Sequence, residues 1–548
     1  MSPNFLIIMA DDLGYSDLGC YGGEIATPRL DALARAGLRM SSFYCAPFCS
    51  PSRAMLHTGL DAHLVGFGAL KEVIDPRQVG KPGYEMYLND RAPTLAERLR
   101  QAGYRSYLSG KWHLGRDVRH GPQARGFERS FGLVDGSASH FDETATCADD
   151  PHARPQACFR EDGRDVHLPD GFYSSQAYAD KLIEYLEADD GSQPFFATLA
   201  FTAPHFPLHA PDEYLARYAG RYSKGYDALR TERLAGLVAQ GLLEPDAKPF
   251  PGCANWPRWE DLPAGLQALE AKNMEAYAAM VECMDFHIGR VVDTLKRLSR
   301  LESTFIVFLS DNGPEGNSVL DTMRTRDWVR QQMDNRLENR GKKRSFIEQG
   351  PGWALVSSTP NRMYKSFTYE GGIRVPFIVA GPGIHGAGRV VHSYAHVTDV
   401  VPTLLDLAGV PASMPWGNAS APELKGRSMA ACWQSGAETI HPVDHVAGWE
   451  MQGRGALRAG NWKLVRSNRP WGTGSWELFD LKSDPGETQD LAEARPDIVS
   501  MLLRDWDAYV VANQVVDAAD MADAMSYSNM CRYYEDLALD LETVNDHT

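Results

Sequence analysis

The 548-residue chain has no long hydrophobic run: the longest apolar stretch near its start, residues 5–10, is six residues long and follows no basic segment. A bilayer span needs about 20 such residues, so neither a membrane anchor nor a signal peptide is read, and a cytoplasmic location is the expectation. Basic charge is also short, with 55 Lys and Arg against 72 Asp and Glu, a formal charge of −17. Neutralising phosphates requires a basic face, which excludes a general nucleic-acid or anionic-membrane binder; neither kind of partner is expected. An anionic substrate would need local positive charge that overcomes the global field. Cysteine is sparse: nine residues, at positions 20, 45, 49, 147, 158, 253, 283, 432 and 531, show neither disulfide-scaffold density nor paired zinc spacing. That odd, scattered set fits a reducing compartment, and Cys147 and Cys158 would pair only in an exported protein. Low-complexity sequence is absent as well, and 43% apolar with 23% charged residues is an ordinary globular composition.

Length alone suggests three or four domains, although one α/β domain with insertions absorbs most of it. Short apolar runs at 5–10, 104–108, 195–201, 304–309 and 377–380 read as central strands of a helix-covered sheet, that at 104–108 being the weakest because Arg105 and Ser106 interrupt it. Between them lie helical patterns. Residues 27–37 have an N-cap threonine, Thr27, then Pro28 and a terminal Gly37, while Thr94 and Glu97 are spaced as a capping box. Residues 273–301 place apolar side chains at helical spacing, and 398–409 form another helix with Pro402 near its start. Alternating strands and helices predict an α/β fold with a large, mostly parallel sheet sandwiched by helices. Polar, Gly-, Pro- and Arg-rich stretches at 137–170 and 314–362 read as long site-shaping insertions. The expected division is a catalytic α/β domain at 1–415, a smaller antiparallel sheet packed by a helix at 416–516, and an acidic tail at 517–548. The tail carries eight acidic residues and one arginine; it is weakly helical and reads either as a docking arm or as a solvated segment.

The first chemical signal is Ala10-Asp11-Asp12-Leu13-Gly14, a carboxylate pair where a buried strand ends. Alone it reads as a turn or cap. A second buried strand, however, also ends in an oxygen pair, at Ser310-Asp311-Asn312-Gly313. Ligands of open α/β sheets bind outside the carboxyl ends of strands, so the two pairs can converge into a hard-oxygen site suited to Ca²⁺ or Mg²⁺ rather than zinc. Asn-Gly as a plain turn is the bland alternative for the second pair.

The sequence Cys49-Ser50-Pro51-Ser52-Arg53, followed by an apolar turn and Thr58-Gly59, closely resembles the signature of type I sulfatases. Cys45 also has a proline two residues on, but Cys49 stands where its arginine would have to be, so only Cys49 fits. Gly110-Lys111-Trp112-His113-Leu114-Gly115, Ala203-Pro204-His205 and Lys365 before Gly371-Gly372-Ile373-Arg374-Val375-Pro376 match sulfatase motifs in the family's order, as do the two oxygen pairs. Features near Leu478-Phe479-Asp480-Leu481 and Asp484-Pro485 extend the likeness into the C-terminal sheet, and among sulfatases the chain is most similar to bacterial arylsulfatases of the Pseudomonas type.

The resemblance implies an alkaline phosphatase-like fold and hydrolysis of sulfate monoesters to an alcohol or phenol plus inorganic sulfate. It implies that Cys49 is oxidised to formylglycine by a formylglycine-generating or anaerobic sulfatase-maturating enzyme. Asp11, Asp12, Asp311 and Asn312, with the position 49 oxygen, would hold calcium, magnesium being the alternative. In the implied roles Arg53 fixes the formylglycine hydrate, Lys111 and Lys365 hold sulfate oxygens, His205 protonates the leaving group, and His113 takes the proton whose loss expels sulfate and restores the aldehyde. Taken without the motifs, each lysine would be a surface group and each histidine a loop residue. Two rivals stay open: a phosphonate monoester or phosphodiester hydrolase with the same nucleophile and metal, and a non-catalytic binding protein in which Cys49 stays a thiol.

Overall fold

All five apolar runs become strands of one sheet. The computed structural model describes the chain except residues 1, 148–154, 254–255, 321–322, 324, 418, 519–526 and 546–548. The sheet comprises β1 Asn4–Ala10, β2 Leu38–Tyr44, β3 Arg105–Gly110, β4 Arg129–Leu133, β5 Phe159–Glu161, β6 Arg164–Val166, β7 Phe195–Ala200, β8 Thr304–Ser310, β9 Arg374–Ala380, β10 Arg389–Val391 and β11 Ala395–His396. Its order is β10-β2-β9-β8-β1-β7-β3-β4-β5-β6, with β11 beside β2. The central pairs β8–β1, β1–β7, β7–β3 and β3–β4 are parallel, whereas β9 runs antiparallel to both β2 and β8.

Successive residues of β1 enter opposite cores: Leu6 and Ile8 on one face, Phe5, Ile7 and Met9 on the other. Period-2 alternation with apolar residues at every position means that both faces are covered, which is why the run looks continuous in the sequence. Helices Pro28–Ala36, Ser174–Ala188 and Ala264–Arg297 contribute to the first core, and Cys49–Thr58, Leu95–Gln101 and Val400–Ala408 to the second.

The Thr94–Glu97 capping box forms as the spacing predicts. Thr27 does not cap as expected. Its hydroxyl is taken up by Asp31 at 3.1 Å and by the Gly19 N–H at 2.9 Å, so the helix starts on Pro28 without a side-chain cap. The long helix begins at Ala264, ahead of the expected residue 273. Asn273 is tolerated inside it because its amide donates to the Tyr533 hydroxyl and accepts from Arg340 Nε, partners far away in sequence.

Beyond the short pair β12 Pro415–Trp416 and β13 Ala419–Ser420 comes the expected second sheet: β14 Val446–Met451, β15 Arg454–Ala459, β16 Trp462–Arg466 and β17 Trp476–Asp480, antiparallel throughout. Leu457, Leu464 and Leu478 face the helix Pro496–Asn513; Ala456, Val465 and Phe479 face the main body against Tyr44, Phe367 and Tyr369. Acidic-tail helix Tyr527–Asn545 packs back on the long helix, with Tyr533 hydrogen bonded to Glu270 and Asp540 to Arg340. Of the two sequence readings the docked arm is the one seen, while Met521 and Met525 lie outside the described residues.

Candidate active site

Because β1, β3, β7 and β8 are parallel, their carboxyl ends share one edge of the sheet. Asp11 and Asp12 follow β1, Lys111 to His113 follow β3, His205 follows β7, and Asp311 and Asn312 follow β8. Strand β9 runs the other way, so its beginning lies at that edge and brings Lys365 in from the preceding loop. Cys49 opens the helix that follows β2, whose ten residues are all buried. The Ser52 hydroxyl accepts from the Ala46 N–H at 2.9 Å and pins the turn that delivers Cys49.

The side chains meet. Lys111 Nζ donates to Asp11 Oδ2 at 2.6 Å, and Lys365 Nζ lies 2.8 and 2.9 Å from the two Asp12 oxygens. Asn312 Nδ2 donates to Asp12 Oδ1 at 2.7 Å. Cys49 Sγ is 3.3 Å from His113 Nδ1, and Ser50 Oγ is at the same distance from that nitrogen. His205 Nε2 is 3.5 Å from Asp12 Oδ2. Asp11, Asp12 and His205 bring ligand atoms within 4.8 Å of one another, so His205 stands closer to the carboxylate pair than a leaving-group contact alone requires. Arg53 Nε donates to Asp311 Oδ2 at 2.8 Å, Nη2 is ion-paired with the same oxygen at 2.8 Å, and Nη1 donates to the Lys111 carbonyl. Its hydrogen bonds organise two neighbours of Cys49.

Burial dominates the electrostatics. It pushes Asp12 up to about 6 against the pull of Lys365, and Asp311 up to about 6 with the help of Asp11. Burial, then the charge of Lys111, holds His113 well below the usual histidine range; burial, then Lys365, does the same for His205. Both imidazoles are therefore neutral near pH 7. Burial also raises the Cys49 thiol, although Lys111 and Lys365 oppose it. A protonated thiol is a poor nucleophile, so Cys49 as cysteine is ill suited to attack an ester.

Asp11 Oδ1 and Asn312 Oδ1 are buried without a hydrogen-bond partner. Buried acceptors left bare are costly, and two of them beside ionisable carboxylates are what an oxygen-ligated cation site requires. Four carboxylates, Asp11, Asp12, Asp311 and Glu315, face three cations, Arg53, Lys111 and Lys365. A divalent cation would turn that formal deficit of one positive charge into a surplus of one, matching a singly charged ester anion.

Several supporting residues escaped the sequence reading. Glu315 lies 3.4 Å from Lys365; it follows the Asn312-Gly313-Pro314 turn directly, and that proximity was the available signal. His140 Nε2 donates to the His205 carbonyl at 3.0 Å, and the Tyr277 hydroxyl to the Asp12 carbonyl at 3.2 Å; neither has a local signal. Gly136 is required by packing, since a Cβ there would stand 2.7 Å from the His113 ring. Of the histidines given no role, His57 packs against Trp112 and Phe127, and His209 against Phe141 with its Nε2 on the Ser345 carbonyl.

Cys49, His113, His205, Glu315 and Lys365 line a cavity of about 470 Å³, whose wall sets Phe48, Phe67, Leu70 and Val134 beside the charged Lys71, Glu72, Arg116 and Asp135. Both expected insertions reach it, through Ser137, Thr146 and Gln156 from one and Glu315 and Met323 from the other.

A mostly parallel sheet that gathers carboxylates, lysines and histidines around one small residue at a helix start defines an α/β protein with its site at the carboxyl edge of the sheet. Comparison narrows the class. The family description "Sulfatase" matches residues 3–410, and "N-sulphoglucosamine sulphohydrolase, C-terminal" matches 362–504. An arylsulfatase of Klebsiella aerogenes is 42% identical over 412 residues, covering 74% of this chain and 87% of that protein. An uncharacterized sulfatase of Schizosaccharomyces pombe is 40% identical over 530 residues, covering 94% and 95%. In fold, the chain is similar to the PsFucS1 sulfatase from Pseudoalteromonas sp., with a TM-score of 0.62, 21% identity and coverage of 96% and 91%. It is similar also to Ps i-CgsB in complex with k-i-k-neocarrahexaose, with a TM-score of 0.66, 23% identity and coverage of 98% and 99%. The chain belongs to the sulfatase family, and its activity is hydrolysis of sulfate esters.

Proposed function

We propose that the chain cleaves sulfate monoesters of aromatic or other apolar alcohols, with Cys49 matured to formylglycine and a divalent cation, calcium, held by Asp11, Asp12, Asp311 and Asn312. The observation that carries this reading is the gathering of Cys49, His113, His205 and Lys365 on one cavity wall, with Lys111, Asp11, Asp12 and Asn312 hydrogen bonded behind them. The donor set is all oxygen, which favours calcium over zinc.

When present, the hydrated formyl group supplies an oxygen nucleophile and the cation withdraws charge from the sulfate oxygens. The chain's own residues do the rest. Lys111 and Lys365, already paired to Asp11 and Asp12, supply the positive charge that receives the sulfate. His113 Nδ1, neutral and 3.3 Å from Cys49 Sγ, is placed to take a proton from the position 49 oxygen. His205 Nδ1 donates to the Phe206 carbonyl at 2.7 Å, so Nε2 of the neutral ring is an acceptor, and the ring protonates the leaving oxygen only after Nε2 has taken up a proton. Maturation assigns a formylglycine-generating or anaerobic sulfatase-maturating enzyme as partner.

The test joins intact mass of the Cys49 peptide from the native host with kcat/KM for an aryl sulfate and a matched aryl phosphonate monoester. Conversion of the thiol with preference for the sulfate is expected. An unconverted thiol in active enzyme, or a preference for the phosphonate, would overturn the reading.

A further inference from the structure

Strands β14 and β15 are joined by a two-residue turn, Gln452-Gly453, with φ of 59° and 76°. Positive φ at both positions is the geometry of a type I′ hairpin, where Asn or Gly at the first position costs least. Glutamine is a strained choice there, and strain of that kind persists where the surroundings over-determine it.

The surroundings do so. Glu450 Oε1 accepts from the Gly453 N–H at 2.9 Å. Its other oxygen is 3.0 Å from His63 Nε2, while His63 Nδ1 is 2.8 Å from Asp61 Oδ1. Tyr509 of the C-terminal helix donates to the second Asp61 oxygen at 2.9 Å. On the other side Arg454 donates to the Ser366 carbonyl at 2.8 Å, one residue beyond Lys365. Met451 packs with Phe48, the neighbour of Cys49, and with Leu70, and both of these also line the cavity. The hairpin tip is thus fixed from the catalytic body, the second sheet and the C-terminal helix together.

What it holds is an unused carboxamide. Gln452 is 3% exposed and lines the cavity, and neither its Nε2 nor its Oε1 has a hydrogen-bond partner. Leaving both ends of a buried amide bare is a substantial cost unless a ligand answers them. The lysines and histidines around Cys49 make no hydrogen bond to it, and Phe48 and Leu70 line the same cavity. We propose that Gln452 is a specificity-determining residue that recognises, on the organic half of the sulfate ester, a neutral polar substituent such as a hydroxyl. A hydroxyl both donates and accepts, as the carboxamide does. The substrate class that follows is an apolar ring bearing sulfate at one position and a hydrogen-bonding group at another. This inference rests on the sulfatase reading and deepens it.

The experiment compares kcat/KM of metal-replete, matured wild type, Gln452→Leu and Gln452→Gly on phenyl sulfate and on the 2-, 3- and 4-hydroxyphenyl sulfates. Glycine suits the positive φ and so separates the side chain from the fold of the turn. For one of the hydroxyphenyl esters both variants are expected to lose about 10-fold or more in kcat/KM relative to wild type, mainly through KM, with phenyl sulfate changed by less than about 3-fold. Taking each variant against wild type on the same ester cancels differences between leaving groups. Equal losses on all four esters, or none, overturn the assignment while leaving the sulfatase reading intact. Failure of wild type to hydrolyse any of the four overturns the aromatic reading itself.

Discussion

The molecule buries two clusters of carboxylates and lysines, and they are built to opposite rules. Around Lys463, Glu370 and Glu487 every carboxylate oxygen is answered: Lys463 donates to one oxygen of each glutamate at 2.9 and 2.8 Å, Tyr44 to the other of Glu370, and the Glu370 N–H to the other of Glu487. Around Cys49, Asp11 Oδ1 and Asn312 Oδ1 are left bare, and the carboxylates outnumber the cations. The first cluster joins β16 to the loops around Glu370 and Glu487 and has nothing left to offer. The second holds unspent acceptors and charge beside a cavity. A satisfied buried network specifies structure, whereas an unsatisfied one marks a site.

The largest test of that contrast is Cys49→Ser. Turnover of an aryl sulfate is expected to fall by at least about 10³-fold, with the unfolding midpoint unchanged, because the change removes a reacting group and no packing. Wild-type turnover in C49S would count against the mechanism. Lys463→Met should do the reverse. Two glutamates lose a shared buried partner, so stability falls by about 3–5 kcal/mol in denaturant unfolding, while kcat/KM of the folded fraction stays within about 3-fold. A stable K463M protein with lost activity would erase the distinction between the clusters.

The hairpin tip that carries Gln452 sharpens the comparison through pH. Burial alone would lower the His63 pKa, but Asp61 and Glu450 outweigh it and raise it to about 10. A folded pKa above the unfolded value of about 6.5 gives stability that is complete below pH 6.5 and is lost as pH rises through about 10. Wild type should therefore lose on the order of 2–4 kcal/mol across that window, and His63→Gln should show a much flatter profile. Parallel profiles for the two proteins would exclude the charged histidine. The smallest effect is expected at the tail: Tyr533→Phe removes a hydrogen bond to Glu270 and should cost about 1–2 kcal/mol with kcat/KM unchanged. A large loss of activity in Y533F would show that the tail helix reaches the site.

How legible each part was follows from how local its cause is. The central strands could be read because double-sided burial forces unbroken apolar runs, as in β1 and β8. Strand β2, Leu-Arg-Met-Ser-Ser-Phe-Tyr, is nearly as buried, one strand in from the edge, but carries Arg39, Ser41 and Ser42, and was passed over. The cost of Arg39 there is met by the Gln240 side chain at 2.7 Å and by the Cys20 carbonyl, partners no local pattern discloses. At the site, Asp11, Asp12, Cys49 and Asp311 stood out as motifs, whereas the contact of Arg53 with Asp311 joins residues 258 positions apart and has no local signal. His140, Tyr277 and Gln452 come from a loop, a helix and a hairpin turn of ordinary composition, and nothing short of the folded chain marks them.

By itself the sequence determined the alternation of strands and helices, the capping box at Thr94, and the short motifs that name the chemistry, because each is written in neighbouring residues. Only the tertiary structure decided which atoms are spent and which are free: the grip of Arg53 on Asp311, the reversal of β9 that brings in Lys365, and the carboxamide of Gln452 left bare in the cavity wall. Those outcomes depend on partners hundreds of residues apart, and burial strips away the water that would otherwise satisfy any polar group the fold leaves unmatched.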